Sequence, residues 1–312
     1  MSTTAVLLLA HGAPENVAQI PEYLGNVTSG RAVPDSVIEE IQYRYSRIGR
    51  SPLTKITLRQ GELLSESLGM PVYVGMRNWM PYIADALQQM RSDGVQNAIA
   101  LCLAPQNSRT SVGLYRNAVN KDAAGLSVDF VESWHDHPLL IAAFAERLQA
   151  VLSRCETDVP IIFTAHSVPE RTITAGDPYE QQARETGALV AQETGLPDSR
   201  WTFAFQSQGM SGGPWIGPTV EETMQRIRDQ GHSRVLIQPV GFVCDHVEVL
   251  YDIDIGFRDF GSQIGLEVSR TESLNDSPKF IAALRAVVEQ RIEPQLDAKK
   301  QQKARAGIKA VT

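Results

Sequence analysis

Cysteine is scarce in this chain. Cys102, Cys155 and Cys244 stand far apart and form no Cys-x-x-Cys pair. That spacing excludes a zinc knuckle and a disulfide framework, and it suits a reducing cytoplasm. Long apolar runs are also missing: none reaches the roughly 18 residues that a membrane-spanning helix needs. The opening MSTTAVLLLAHGAP has no basic leader and only a short apolar run. It therefore reads as a first core strand and not as a signal peptide. Excess positive charge is absent, the net charge being −7, which excludes a general nucleic-acid-binding surface. What remains is ordinary for a globular protein, with 43% hydrophobic and 21% charged residues in 312. That length accommodates two domains.

Two stretches carry the chemistry. Val235–Val240 reads as a buried strand that breaks at Gly241, and Asp245, Glu248 and Asp252 follow at spacings of three and four. On a helix these acids share one face. Stacked carboxylates repel, so a cation would compensate them, while a solvated acidic face is the plainer alternative. The second stretch, Ile161–Glu170, is an apolar strand that ends in His166. Ligands of open α/β sheets bind outside the carboxyl ends of strands. A lone histidine is commonly structural. A histidine and a glutamate that both follow strands point to metal binding or proton transfer.

In chain order, strands are expected at Ala5–Ala10, Val72–Met76, Asn97–Ala104, Leu126–Val131, Pro160–Ala165, Trp201–Gln206, Arg234–Val240 and Gly265–Val268. Helical periodicity falls between them, at Trp79–Met90, His137–Leu152, Pro178–Thr194, Pro218–Gln230, Asp245–Tyr251 and Pro278–Ile292. Gly49–Leu53 is a loop whose Arg50 and Ser51 suit a carboxylate or phosphate. Gln206–Trp215 is a glycine-rich loop without dinucleotide spacing, and its Trp215 reads either as a face for a flat ligand or as a core anchor. Leu9–Pro14 echoes Thr164–Pro169, so His11 stands at a strand end as His166 does. The halves read as a duplication: α/β, two similar doubly wound domains with a cleft between their strand ends. The expected domains are 1–154 and 155–293, followed by a basic, disordered tail over 294–312.

These residues resemble a known family. Thr164–Glu170 (TAHSVPE) resembles the SAHSLPE signature of the ferrochelatases, and Pro239–Asp252 (PVGFVCDHVEVLYD) resembles their PVGFVxDHxEVLYD signature. Shorter matches are Gly49–Thr57, Leu103–Ser108, Val131–Trp134, Gly176–Tyr179 and Pro214–Pro218, so the resemblance runs over residues 4–292. It implies a Rossmann-like chelatase fold and insertion of Fe²⁺ into a porphyrin in haem biosynthesis. His166 and Glu248 would bind the metal and accept protons, and Asp252 would belong to an acidic ridge. The next ridge position is Gly256, with Asp254 as a candidate replacement.

The tail has no cysteine and the chain no hydrophobic membrane lip. It is therefore most similar to the soluble coproporphyrin III ferrochelatases. By that resemblance Arg44, Tyr45, Ser51 and Tyr115 contact the propionates. His11 stands where those enzymes usually have tyrosine, and it is expected to be an axial metal ligand, since imidazole binds ferrous iron better than a neutral phenol. No cofactor beyond substrate Fe²⁺ and no iron–sulfur cluster is implied. The expected partners are the porphyrin and Fe²⁺, with transient contact to neighbouring haem-pathway enzymes. Protoporphyrin IX as substrate, or a non-catalytic haem-binding role, are the alternatives.

Overall fold

The computed structural model describes residues 3–154, 158–209 and 212–292. The division expected at 154/155 and the basic tail fall on residues outside this description.

Two parallel four-stranded sheets organise the chain. The first holds β1 (Thr4–Ala10), β2 (Val72–Met76), β3 (Asn97–Cys102) and β4 (Ser127–Val131), in the order β2-β1-β3-β4. The second holds β5 (Ile161–His166), β6 (Trp201–Gln206), β7 (Arg234–Pro239) and β8 (Glu267–Arg270), in the order β6-β5-β7-β8. Counted within each half, the two orders are the same, which agrees with the repeat in the sequence. The topology reverses between β1 and β3, and again between β5 and β7. These switch points are where doubly wound sheets open a crevice for ligands.

The inner strands β1, β3, β5 and β7 are apolar over most of their length because helices cover both faces, whereas the edge strands β4 and β8 carry charged residues. Side chains alternate across the sheet. Val6 and Leu8 of β1 join one apolar cluster and Ala5, Leu7 and Leu9 another. In β5, Ile161, Phe163 and Ala165 join the same cluster as Val6, whereas Ile162 faces a third. One continuous core thus runs through both halves. The helices Leu53–Leu68 and Pro138–Leu152 and the helix over 278–292 also feed it. Full burial of a large aliphatic or aromatic side chain contributes about 1.5–3 kcal/mol, so this shared layer joins the halves strongly. No helix among the described residues is long and apolar enough to cross a membrane.

Two details differ from the sequence reading. The helix expected at Trp79–Met90 starts at Ile83, since Trp79 is drawn into a separate cluster with Ile20, Tyr23 and Tyr45. The helix expected at Asp245–Tyr251 begins only at Val247. It passes through a π-helical segment, Asp252–Phe257, before the helix Arg258–Ile264. In that segment the Gly256 amide donates to the Tyr251 carbonyl, five residues back, at 2.8 Å.

Candidate active site

The site forms where the strands end. β5 ends in His166, beside the point where β7 leaves its sheet at Val240-Gly241. The amides of Val240 and Gly241 both donate to the Thr164 carbonyl, at 2.8 and 3.1 Å. A β-carbon at position 241 would stand 2.6 Å from the Ala165 β-carbon and 2.8 Å from its α-carbon. Glycine is required there, because only a bare backbone lets the chain pass so close to β5. That passage sets the short helix Val247–Leu250 next to His166. Val247 then packs on the cluster of Ile20, Tyr23 and Tyr45, which closes the floor between the halves.

His166 and Glu248 meet here. His166 Nδ1 makes a short hydrogen bond to the Ser167 carbonyl. A carbonyl only accepts, so Nδ1 carries the proton and Nε2 faces Glu248 Oε1 at 3.4 Å. Two ligands about 2.1 Å from one ion stand roughly 3–3.4 Å apart, so this spacing suits a shared divalent cation. Burial works against charge on both groups. The carboxylate nevertheless raises the His166 pKa, and the neighbouring His166 charge and hydrogen bond hold Glu248 down to about 2. Each group thus favours the charged form of the other, and a cation arriving between them would compete with a proton for the same two groups.

Asp252 lies one turn beyond Glu248. Its carboxylate accepts a short hydrogen bond from the Ser207 hydroxyl and pairs with Arg44 Nη1 at 3.1 Å. Burial and the nearby Glu248 charge raise its pKa to about 6, against the opposing pull of Ser207 and Arg44. A carboxyl with a pKa of about 6 changes charge within reach of neutral pH, the range in which a proton carrier would have to work. Arg44 reaches it from the helix Asp35–Ile48 in the other half and also holds Glu40 at 2.9 Å.

Asp245 does not share the face of Glu248 and Asp252. It precedes the helix and accepts hydrogen bonds from Ser273 at 2.7 Å and Asn275 at 2.9 Å, with Arg270 3.3 Å away. Asp254 does not extend the ridge either, because Arg270 grips it bidentately at 2.9 and 2.8 Å.

The opposite wall carries His11, directly after β1. Gly12, at φ +83°, turns the chain against Trp79, where a β-carbon would approach to 2.9 Å. His11 Nε2 lies 2.9 Å from the Tyr23 hydroxyl, and the Asn78 amide nitrogen lies 3.0 Å from the same ring nitrogen. Burial, then the Arg77 charge, lowers its pKa to about 3, so the imidazole is neutral. Tyr45 hydrogen-bonds to Tyr23, and burial pushes its pKa up. Tyr115 is likewise buried beneath the Arg77 guanidinium, 5.4 Å above its ring. The charges of Glu248, His246 and His166 all reach His11, yet among the described residues no three His, Cys, Asp or Glu side chains stand close enough to share one ion. Ser51 sits buried at the start of the helix Leu53–Leu68, its hydroxyl 3.5 Å from the Leu53 amide.

Several residues of this constellation were not singled out from the sequence. Tyr23, Arg77 and Asn78 carry no pattern that marks them. His246 lies within a signature, and its Nδ1 accepts from the Glu248 amide at 3.1 Å, so it caps the helix on which Glu248 rides. Trp215 stands 6.4 Å from the His166 ring, tilted by 51°. The sequence before it spells Gly-x-Ser-x-Gly over 209–213, but among the described residues the next helix starts only at Val220, which does not make the strand–turn–helix that a nucleophile elbow requires.

Comparison with known proteins finds one family over the whole of the described fold. The family described as Ferrochelatase matches residues 3–292. A ferrochelatase of Acidobacterium capsulatum is 54% identical over 299 residues, covering 90% of this chain and 92% of that one. A protein named coproporphyrin III ferrochelatase, from Geobacillus sp. strain WCH70, is 36% identical, covering 92% and 97%. Among solved structures, SirB from Bacillus subtilis with Fe³⁺ shares the fold, with a TM-score of 0.59 at 12% identity, covering 93% of this chain and 95% of that one.

Proposed function

This chain belongs to the ferrochelatase family, and we propose that it inserts Fe²⁺ into coproporphyrin III to give coprohaem. The observation that carries the reading is the His166–Glu248 pair, 3.4 Å apart at a switch point and opposite the buried rings of Tyr23, Tyr45 and Tyr115, the last under the Arg77 guanidinium. Two pyrrole protons must leave as the metal enters. His166 Nε2 and Glu248 meet the ion and accept protons, and Asp252 passes them outward past Ser207 and Arg44. His11, a neutral imidazole, would exchange its hydrogen bonds to Tyr23 and Asn78 for the iron on the other face.

The choice of coproporphyrin III rests on the rim. This substrate carries four propionates and needs cations and hydroxyls around it. Arg44 already holds a carboxylate, that of Asp252, across the cleft, so a substrate carboxylate would be held in the same way. Tyr45, Ser51 and Tyr115 supply hydroxyls. The relative from Geobacillus whose name specifies coproporphyrin III supports this choice. Fe²⁺ enters as substrate, with no resident cofactor and no iron–sulfur cluster. We place the reaction in the cytoplasm, with neighbouring haem-pathway enzymes as transient partners.

The test is anaerobic Fe²⁺ insertion by the purified protein, followed by absorbance, with coproporphyrin III and protoporphyrin IX compared. A strong preference for coproporphyrin III is expected. A preference for protoporphyrin IX would remove the rim assignments of Arg44, Tyr45, Ser51 and Tyr115.

A further inference from the structure

One residue touches both arms of the candidate metal pair. β6 lies beside β5 with Gln206 in register with His166. The Gln206 carbonyl accepts from the Ser167 amide at 2.7 Å, which holds the chain just after His166. Its side chain spans outward. Oε1 pairs with the Thr164 hydroxyl at 2.7 Å, and Nε2 donates to the Glu248 main-chain carbonyl at 2.8 Å. The Glu248 carbonyl can only accept, so the amide nitrogen must face it. The amide oxygen must then face Thr164, whose hydroxyl donates. Gln206 is 2% exposed and Thr164 is fully buried, so water does not compete for either bond.

We infer that Gln206 is a positioning residue that sets the separation of His166 and Glu248, with Thr164 fixing the orientation of its amide. This rests on reading His166 and Glu248 as the metal-insertion pair. The carbonyl that Gln206 holds lies just before the chain changes from the helix Val247–Leu250 to the π-helical Asp252–Phe257. A helix of four residues has few bonds of its own to fix its place, so an outside anchor matters. The next residue supports the assignment. Ser207 adopts φ 60°, a left-handed backbone unusual for a non-glycine residue, and from there its hydroxyl reaches Asp252. Adjacent residues at the end of β6 thus hold both Glu248 and Asp252.

A buried glutamine can also be purely structural, and the molecule contains a comparison. Gln238 in β7 is fully buried in register with Phe163, and it donates to the Phe144 carbonyl at 2.9 Å, so its hydrogen bond goes to neither arm of the pair.

The experiment compares Gln206→Met, Thr164→Val, Thr164→Ser and Gln238→Met. Each is assayed for kcat and KM in iron insertion, for porphyrin binding by absorbance, and for melting temperature. A displacement of about 1 Å at a reacting pair costs on the order of 100-fold in rate. Gln206→Met is expected to lower kcat by about 10- to 100-fold, with porphyrin binding unchanged. Thr164→Val should lower kcat in the same direction, and Thr164→Ser, which restores the donor, should recover it. Gln238→Met should lower the melting temperature and leave kcat intact. A Gln206→Met enzyme with wild-type kcat, or equal kcat for the Val and Ser variants, would overturn the inference. Crystal structures of wild type and Gln206→Met supply a readout that needs no activity. A widened His166–Glu248 separation is expected, and an unchanged one refutes the role of Gln206. A wild-type protein that inserts no iron would instead sink the functional reading alone.

Discussion

Asp252→Asn should make this protein more stable at neutral pH, by an amount that fades in acid. Its carboxyl has a pKa of about 6 in the folded chain against an ordinary 3.8, because it is buried and close to Glu248. The side chain is only 10% exposed, so solvent screens this effect little. A raised acid binds its proton more tightly when folded. Below pH 3.8 both states are protonated and the residue costs nothing. Between pH 3.8 and 6 the unfolded chain ionises first, and stability falls as pH rises. Above pH 6 both states are ionised and the cost is complete. The shift is worth about 3 kcal/mol at 1.36 kcal/mol per pH unit. Asparagine keeps the shape and removes the charge, so that cost is relieved. For a chain of this size the gain is about 5 °C in melting temperature near pH 7.5. It should shrink to under about 1 kcal/mol at pH 4. Thermal unfolding of both proteins from pH 4 to 8 measures it. A difference that is constant across that range, or an asparagine variant less stable at pH 7.5, would refute the reasoning. Iron insertion should slow in the same variant, since a proton relay has been traded for stability.

Other outcomes follow from the same geometry. His166→Ala should abolish iron insertion while coproporphyrin still binds by absorbance titration, and loss of porphyrin binding would mark His166 as a mere wall residue. His11→Ala should speed release of the iron product by about tenfold, the equivalent of about 1.4 kcal/mol of lost ligation; an unchanged off-rate in stopped-flow would end its assignment as an axial ligand. Arg270→Met should destabilise the fold by about 1.5–3 kcal/mol in denaturant unfolding, because Arg270 is 12% exposed and its loss removes charged hydrogen bonds from the half-buried carboxylates of Asp245 and Asp254, which keep Ser273, Asn275 and Arg258 as partners. A cost below about 1 kcal/mol would show that this cluster behaves as a surface pair.

Much of the fold was legible because its causes are local. A strand buried on both faces must be apolar throughout, so β1, β3, β5 and β7 could be read from short runs such as Val6–Leu9 and Ile161–Ala165. The repeat of Leu9–Pro14 at Thr164–Pro169 announced two like sheets, and the sheets share one strand order. The ferrochelatase signatures placed His166 at a strand end and Glu248 on a helix that follows another strand, since a ligand-facing strand end needs its turn residues in sequence beside the reactive group. What stayed hidden depends on partners far away in the chain. Spacing put Asp245 with Glu248 and Asp252, but Ser273 and Asn275 draw it aside, and Arg270 likewise takes Asp254 out of the ridge. The resemblance assigned Arg44 to the propionates, and nothing in its surroundings in the sequence showed that the other half brings Asp252 to within 3.1 Å. Gln206 looks like the last residue of a strand, and only the register of β6 on β5, with Gly241 letting β7 pass against Ala165, sets its amide between Thr164 and Glu248. Periodicity and turn chemistry are properties of neighbouring residues, so the sequence carries them openly. The partner of a buried polar group is chosen by packing, and only the folded chain decides it.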